Sequence, residues 1–128
     1  MSDSTLMNSG ISTQVSNAIG AHGAWKLRLK TAITTGRSDI TPEKAACDNE
    51  CAFGKWLYGD ELDAGTKAGL PFQVVKRLHG EFHHSAGSVL ALALGGRTAD
   101  AQALLNGDYT ERSDKLVRAL SKWKRELI

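Results

Sequence analysis

Two histidines stand four residues apart in the segment His79-Gly-Glu-Phe-His83, inside a strongly helical pattern. On an α-helix such residues lie one above the other, about 40° apart around the axis. Two imidazoles placed that way can hold one metal ion between them. His22, Cys47 and Cys51 are the other soft donors within reach of such a pair. One thiolate and three imidazoles, supplied by His22, Cys51, His79 and His83, would complete a closed tetrahedral shell. Zn²⁺ is the ion that best suits that donor set.

The remaining candidates sort by geometry. His84 lies about 100° around the helix from His83 and about 140° from His79, so it belongs to the rim rather than to the pair. Glu81 also points away from the pair, which makes it a poor ligand and a poor general base. Spacing alone leaves the cysteines open. Cys47 and Cys51 are themselves four apart, and with His79 and His83 they would make a set of two cysteines and two histidines, leaving His22 as a core residue. A Cys47–Cys51 disulfide is a further reading, strained if one helix holds both. A hydrolytic zinc centre needs three protein ligands, an open position and a nearby carboxylate. With four donors available and Glu81 turned aside, no catalytic residue is assigned. A plain bundle without metal would leave three buried imidazoles and a thiol in search of other partners.

The elements that must position these residues read as helices throughout. Residues 1–10 are small and polar and are expected to be flexible; a single domain is expected over 11–128. Ile11, Val15, Ala18, His22, Trp25, Leu29 and Ile33 follow steps of three and four, the mark of an amphipathic helix. Ile11, Val15, Leu29 and Ile33 all lie within about 20° of His22, which puts His22 in the middle of the buried stripe. Gly20 and Gly23 weaken this helix by about 1 kcal/mol each relative to Ala; their position beside His22 suggests close approach of another backbone. Thr41-Pro42-Glu43 reads as N-cap, first helical residue and acidic first turn. A short stretch follows with Cys47, Cys51, Phe53, Trp56 and Leu57, bent or broken at Gly54. It has the fewest apolar anchors and is expected to be the movable part. Residues 59–70 read as a loop. Pro71 opens a third helix whose stripe is Phe72, Val75, His79, Phe82, Ala86, Leu90 and Ala93, ended by Gly95-Gly96. Thr98 is expected to cap a last helical region through Leu104, Leu116, Leu120 and Trp123, divided or kinked at Gly107. No strand survives this reading. The expected fold is all-α: an antiparallel four-helix bundle with an additional short helical segment carrying the cysteine ligand.

Bulk properties narrow the function. The chain has 128 residues, 41% hydrophobic and 23% charged, with net charge +2. That suits one domain with one core and lacks the dense basic face of a nucleic-acid binder. The basic positions Lys115, Arg118, Lys122, Lys124 and Arg125 are interleaved with apolar ones, as on a solvated helix face. The longest apolar run, from Val89 to Leu94, is about a third of what a membrane span requires. The N-terminal stretch lacks the basic and apolar regions of a signal peptide. Two cysteines make no disulfide framework, and a reducing compartment is expected.

The ordered motifs His22-Gly-Ala-Trp25, Cys51-Ala-Phe-Gly-Lys-Trp56 and His79-Gly-Glu-Phe-His83 resemble the chemoreceptor zinc-binding (CZB) domain, over roughly Ile11 to the C-terminus. The resemblance implies a helical bundle with a zinc site of His22, Cys51, His79 and His83. It chooses Cys51 because that residue begins the Cys-x-Phe-Gly-Lys-Trp motif, and it leaves Cys47 as an extra thiol. It further implies a regulatory domain of bacterial cytoplasmic signalling, in chemotaxis or cyclic-di-GMP control, that senses zinc or oxidants such as hypochlorous acid. A homodimer is implied, with a chemoreceptor or diguanylate cyclase as signalling partner, in cis or in trans. The alternative is a structural, zinc-stabilised dimerisation module without a sensing role. The chain holds neither a signalling hairpin nor a cyclase domain, so it is expected to be a free-standing module or a domain of a longer protein.

Overall fold

A computed structural model describes the backbone of residues 2–127 and the side chains of residues 9–127. Every regular element in it is helical, as the periodicity predicts. Three long helical pieces form the body: α1 (Ser2–Thr35), α5 (Leu70–Leu94) and a continuous rod of α6 (Thr98–Leu104), a π-helical turn (Leu105–Tyr109) and α7 (Thr110–Glu126). These three pack on one another around a common apolar core. Three short helices, α2 (Pro42–Ala46), α3 (Ala52–Tyr58) and α4 (Ala64–Ala68), fill the connection from α1 to α5.

The predicted stripes are the buried ones. Ile11, Val15, Ala18, His22, Leu29 and Ile33 of α1 are all buried, as are Phe72, Val75, His79, Phe82, Ala86, Leu90 and Ala93 of α5. The π turn joins α6 to α7 at the place where Gly107 suggested a division. There Thr110 Oγ1 donates to the carbonyl of Leu105 at 2.7 Å. The wide turn also carries Asp108, which accepts from Ser85 of α5 at 2.8 Å and from Arg112 at 3.2 Å. Arg112 reaches on to Glu81 at 3.1 Å, which tethers the rod to α5 on its outer side.

The structure differs from the sequence expectation at five places. Helical backbone starts at Ser2 rather than at Ile11. The helical stretch expected from Pro42 through Leu57 is two helices, α2 and α3, joined by a turn at 47–51, and Gly54 lies inside α3 rather than breaking it. The expected loop 59–70 contains α4, capped by Asp63, whose carboxylate accepts from the Thr66 N–H at 2.7 Å. Thr98 is the first helical residue, with Arg97 at the cap position. Finally, a Cβ at Gly20 or Gly23 would meet nothing within 4 Å, so no backbone approaches α1 there.

Close approach occurs at other glycines. A Cβ on Gly87 would lie 2.7 Å from Ala46 Cβ and 2.9 Å from the Pro42 carbonyl. A side chain at this point of α5 would hold α2 away. Gly54 is tighter still: its Cβ would stand 1.7 Å from the Asp48 carbonyl oxygen. Only glycine lets the 47–51 turn fold back onto α3. These two contacts, together with the Thr41 cap and Pro42 at the start of α2, bring the turn that precedes Cys51 down onto α5.

Candidate metal centre

The centre is assembled from three parts of the chain. His22 comes from the middle of α1, His79 and His83 from one face of α5, and Cys51 from the N-cap of α3. The three histidines are 2%, 0% and 1% exposed, and Cys51 is half-buried.

Hydrogen bonds fix which nitrogen is free on two of the three rings. His22 Nδ1 lies 2.6 Å from the carbonyl of Ala18, and His83 Nδ1 lies 2.9 Å from the carbonyl of Ala45. A carbonyl can only accept, so both Nδ1 atoms carry the proton. Both Nε2 atoms are then bare lone pairs. The Ala18 contact is a turn of α1 itself; the Ala45 contact exists because Gly87 lets α2 lie directly on α5. Such outer partners orient a ligating imidazole and raise its basicity. His79 Nδ1 has no hydrogen-bond partner, and neither does His22 Nε2.

The donors converge. His79 Nε2 is 3.1 Å from His83 Nε2, and Cys51 Sγ is 3.4 Å from the first and 3.5 Å from the second. Donors of all three histidines lie within 4.8 Å of one another. A tetrahedron built on Zn–N of about 2.05 Å and Zn–S of about 2.3 Å has edges of about 3.3 Å between nitrogens and about 3.6 Å between nitrogen and sulfur. The triangle of His79, His83 and Cys51 already has those edges. His22 lies outside that triangle, with a donor within 4.8 Å of those of His79 and His83. An orphaned, fully buried lone pair at His22 Nε2 costs stability unless something shares it, and a cation between the four donors does so. The residues fit Zn²⁺.

Electrostatics favours the same state. Burial, the largest influence on each ring, pushes His22 down to about 4 and His79 to about 2, and lowers His83 as well. All three are therefore neutral at pH 7, the form that binds metal. Burial also raises the Cys51 thiol, opposed by backbone N–H groups at the start of α3; the Gly54 N–H donates to its Sγ at 3.3 Å. A bound Zn²⁺ would reverse this preference, because a coordinating thiol gives up its proton outright.

Aromatic rings wall the centre. Phe82 is 4.6 Å from His22, Phe53 is 5.3 Å from His79 and Trp25 is 5.7 Å from His83, between ring centres. A cavity of about 150 Å³ lies beside His22, Trp25, Cys51 and Phe53.

Of the four residues named from the motifs, His22, His79 and His83 bring their nitrogens within 4.8 Å of one another, and Cys51 Sγ lies against His79 and His83. Cys47 does not join them: its Sγ donates to the Glu43 carbonyl at 3.2 Å, back along α2. Both cysteines are free, so no disulfide links them. His84 is exposed and Glu81 pairs with Arg112, as their helix angles predict. The sequence reading missed the outer partners, Ala18 and Ala45. Backbone carbonyls leave no mark on a sequence, although the Gly87 that admits Ala45 was visible as a glycine inside a helix.

A family model described as the chemoreceptor zinc-binding domain matches residues 22–90, from the first histidine to beyond the last, 69 of the 128 residues. The chain belongs to the chemoreceptor zinc-binding (CZB) domain family. No curated protein and no solved structure gives a significant match.

Proposed function

We propose that this chain is a regulatory zinc-binding domain of bacterial signalling, not an enzyme, which holds one Zn²⁺ between His22, Cys51, His79 and His83. The observation that carries the reading is the triangle of 3.1, 3.4 and 3.5 Å drawn by His79, His83 and Cys51, with the edges of a zinc tetrahedron. Four protein donors close the shell, so no position is left for a substrate. When bound, the ion supplies positive charge that keeps Cys51 as thiolate.

The switch lies in the sulfur. Three nitrogen donors resist oxidation and one thiolate does not. Hypochlorous acid would be consumed by Cys51: the thiolate sulfur attacks chlorine and displaces hydroxide, and water then displaces chloride. The net change is Cys–S⁻ + HOCl → Cys–SOH + Cl⁻, with two electrons passing from sulfur to chlorine. The sulfenic acid is a reversible product and a poorer donor, so the 47–51 turn loses its tie to α5. The sequence makes the whole stretch from Cys47 to Leu57 the movable part; Phe53, Trp56 and Leu57 are 5%, 8% and 1% exposed and hold its α3 portion in the core. Movement therefore belongs to the turn that precedes it. The family supports the cytoplasmic setting we propose; among the described residues no helix is long and apolar enough to cross a membrane. We propose an antiparallel arrangement of the helices within the chain, and a homodimer coupled to a chemoreceptor or a diguanylate cyclase, in cis or in trans.

Elemental analysis and zinc competition test the reading on untagged protein. One zinc per chain is expected. Cys51→Ala and His22→Ala should weaken binding by about a hundredfold or more, beyond the ten- to hundredfold typical of outer-shell changes. Cys47→Ala should leave it within about twofold. Weakened binding in Cys47→Ala with normal binding in His22→Ala would replace this donor set by the two-cysteine one. If Cys51 stays reduced under hypochlorous acid, or oxidises with no change in structure, zinc binding stands but oxidant sensing fails.

A further inference from the structure

We propose that Asp48 and Tyr58 form a clasp that holds the Cys51 sulfur at the zinc position, making both of them positioning residues for the metal. The proposal rests on the zinc reading above.

The clasp joins the two ends of the cysteine-bearing segment. Tyr58, the last residue of α3, donates its hydroxyl to Asp48 Oδ2 at 2.5 Å. Asp48 sits in the 47–51 turn, three residues before the sulfur. A single short bond therefore closes a loop around Cys51 and the whole of α3. Bonds to an ionised acceptor are short and about twice as strong as neutral ones.

The closed loop is pressed onto the helix that carries two of the histidines. The Asp48 carboxylate lies 3.2 Å from where a Cβ of Gly80 would be, one residue after His79. Lys76, one turn before Gly80 on α5, places its ammonium 5.1 Å from the centre of the Tyr58 ring. Asp48 and Tyr58 thus each meet α5 beside the histidine pair. Apart from its backbone packing against Gly54 of α3, the turn has few side-chain anchors. Asn49 and Glu50 are exposed, and the Cys47 thiol is turned back to Glu43. By contrast α3 has its own buried aromatic anchors. Of the segment that presents the sulfur, the turn is the part whose position depends on the clasp. The tyrosine pushed up to about 12, through burial and the neighbouring carboxylate, agrees with a hydroxyl that keeps its proton as donor.

Tyr58→Phe removes the donor and keeps the ring over which Lys76 lies. Asp48→Asn keeps an acceptor and removes the charge. The experiment measures zinc affinity by chelator competition at 25 °C, and separately the rate at which Cys51 of chelator-stripped protein is alkylated by iodoacetamide. Both are done in a Cys47→Ala background, so that one thiol is counted. Tyr58→Phe should weaken zinc binding by about three- to tenfold, the scale of one partly exposed charged hydrogen bond, and speed alkylation by a similar factor. Asp48→Asn should recover at least half of the lost affinity on a logarithmic scale, relative to Asp48→Ala. The double variant Asp48→Ala, Tyr58→Phe should be no worse than Asp48→Ala, because the two residues act as one.

If the parent protein binds no zinc, the metal reading falls and the clasp with it. If the parent binds zinc, and Tyr58→Phe binds it equally well with unchanged alkylation, the clasp alone is overturned. A lower melting temperature in Tyr58→Phe without a change in zinc affinity also overturns it, since the bond would then support the fold and not the sulfur.

Discussion

His22, His79 and His83 are held neutral by burial in a wall of aromatic rings, and this has a cost that depends on pH. Their pKa values in the fold lie below the unfolded value of about 6.5, with His22 at about 4. Between those limits the unfolded chain binds more protons than the folded one, so stability rises with pH. The contribution is fully present above about pH 6.5 and is lost as pH falls through the folded values. Zinc-free protein should therefore unfold at lower urea concentration at pH 5 than at pH 7.5, and His22→Gln should flatten part of that slope. An unchanged urea midpoint across this range would contradict neutral, buried rings. That these three histidines cluster was readable in the sequence because two of them share a helix face and one lies on a buried stripe. Cys51 could not be chosen over Cys47 from spacing. The structure separates them by a physical contact: the Cys47 thiol is bonded to the Glu43 carbonyl, while Cys51 Sγ touches two imidazoles.

At the level of elements, the centre depends on short helices laid closely on a long one. Glycines mark where this matters and where it does not. Gly54→Ala would drive a methyl group onto the Asp48 carbonyl; it should cost about 2–3 kcal/mol, at the upper end of overpacking effects, and weaken zinc binding as the turn is displaced. Gly87→Ala should cost about 1–3 kcal/mol by pushing α2 and its Ala45 carbonyl off His83. Gly20→Ala and Gly23→Ala lie in α1 with open space around them and should stabilise by about 0.5–1 kcal/mol each. Urea unfolding of the four variants orders them; equal effects at all four would contradict the packing described. Periodicity made the long helices legible because a buried stripe must repeat every three to four residues. It could not find α4, which buries no residue. It also could not split α2 from α3, because the break between them is set by tertiary contact at Gly54 rather than by a helix-breaking residue.

On the scale of the whole molecule, a metal that joins α1, α5 and the N-cap of α3 ties together parts of the chain distant in sequence. Its binding energy is then partly folding energy. At free zinc a hundredfold above the dissociation constant, the fold should gain about 2.7 kcal/mol, seen as a rise in melting temperature that excess chelator reverses. Cys51→Ala should show a much smaller rise at the same zinc concentration. The most direct single measurement is X-ray absorption at the zinc edge on untagged protein loaded with one equivalent of zinc. One sulfur at about 2.3 Å and three nitrogens at about 2.0–2.1 Å are predicted. Two sulfurs, no sulfur, or a first shell made of water oxygens would contradict a centre built from His22, Cys51, His79 and His83.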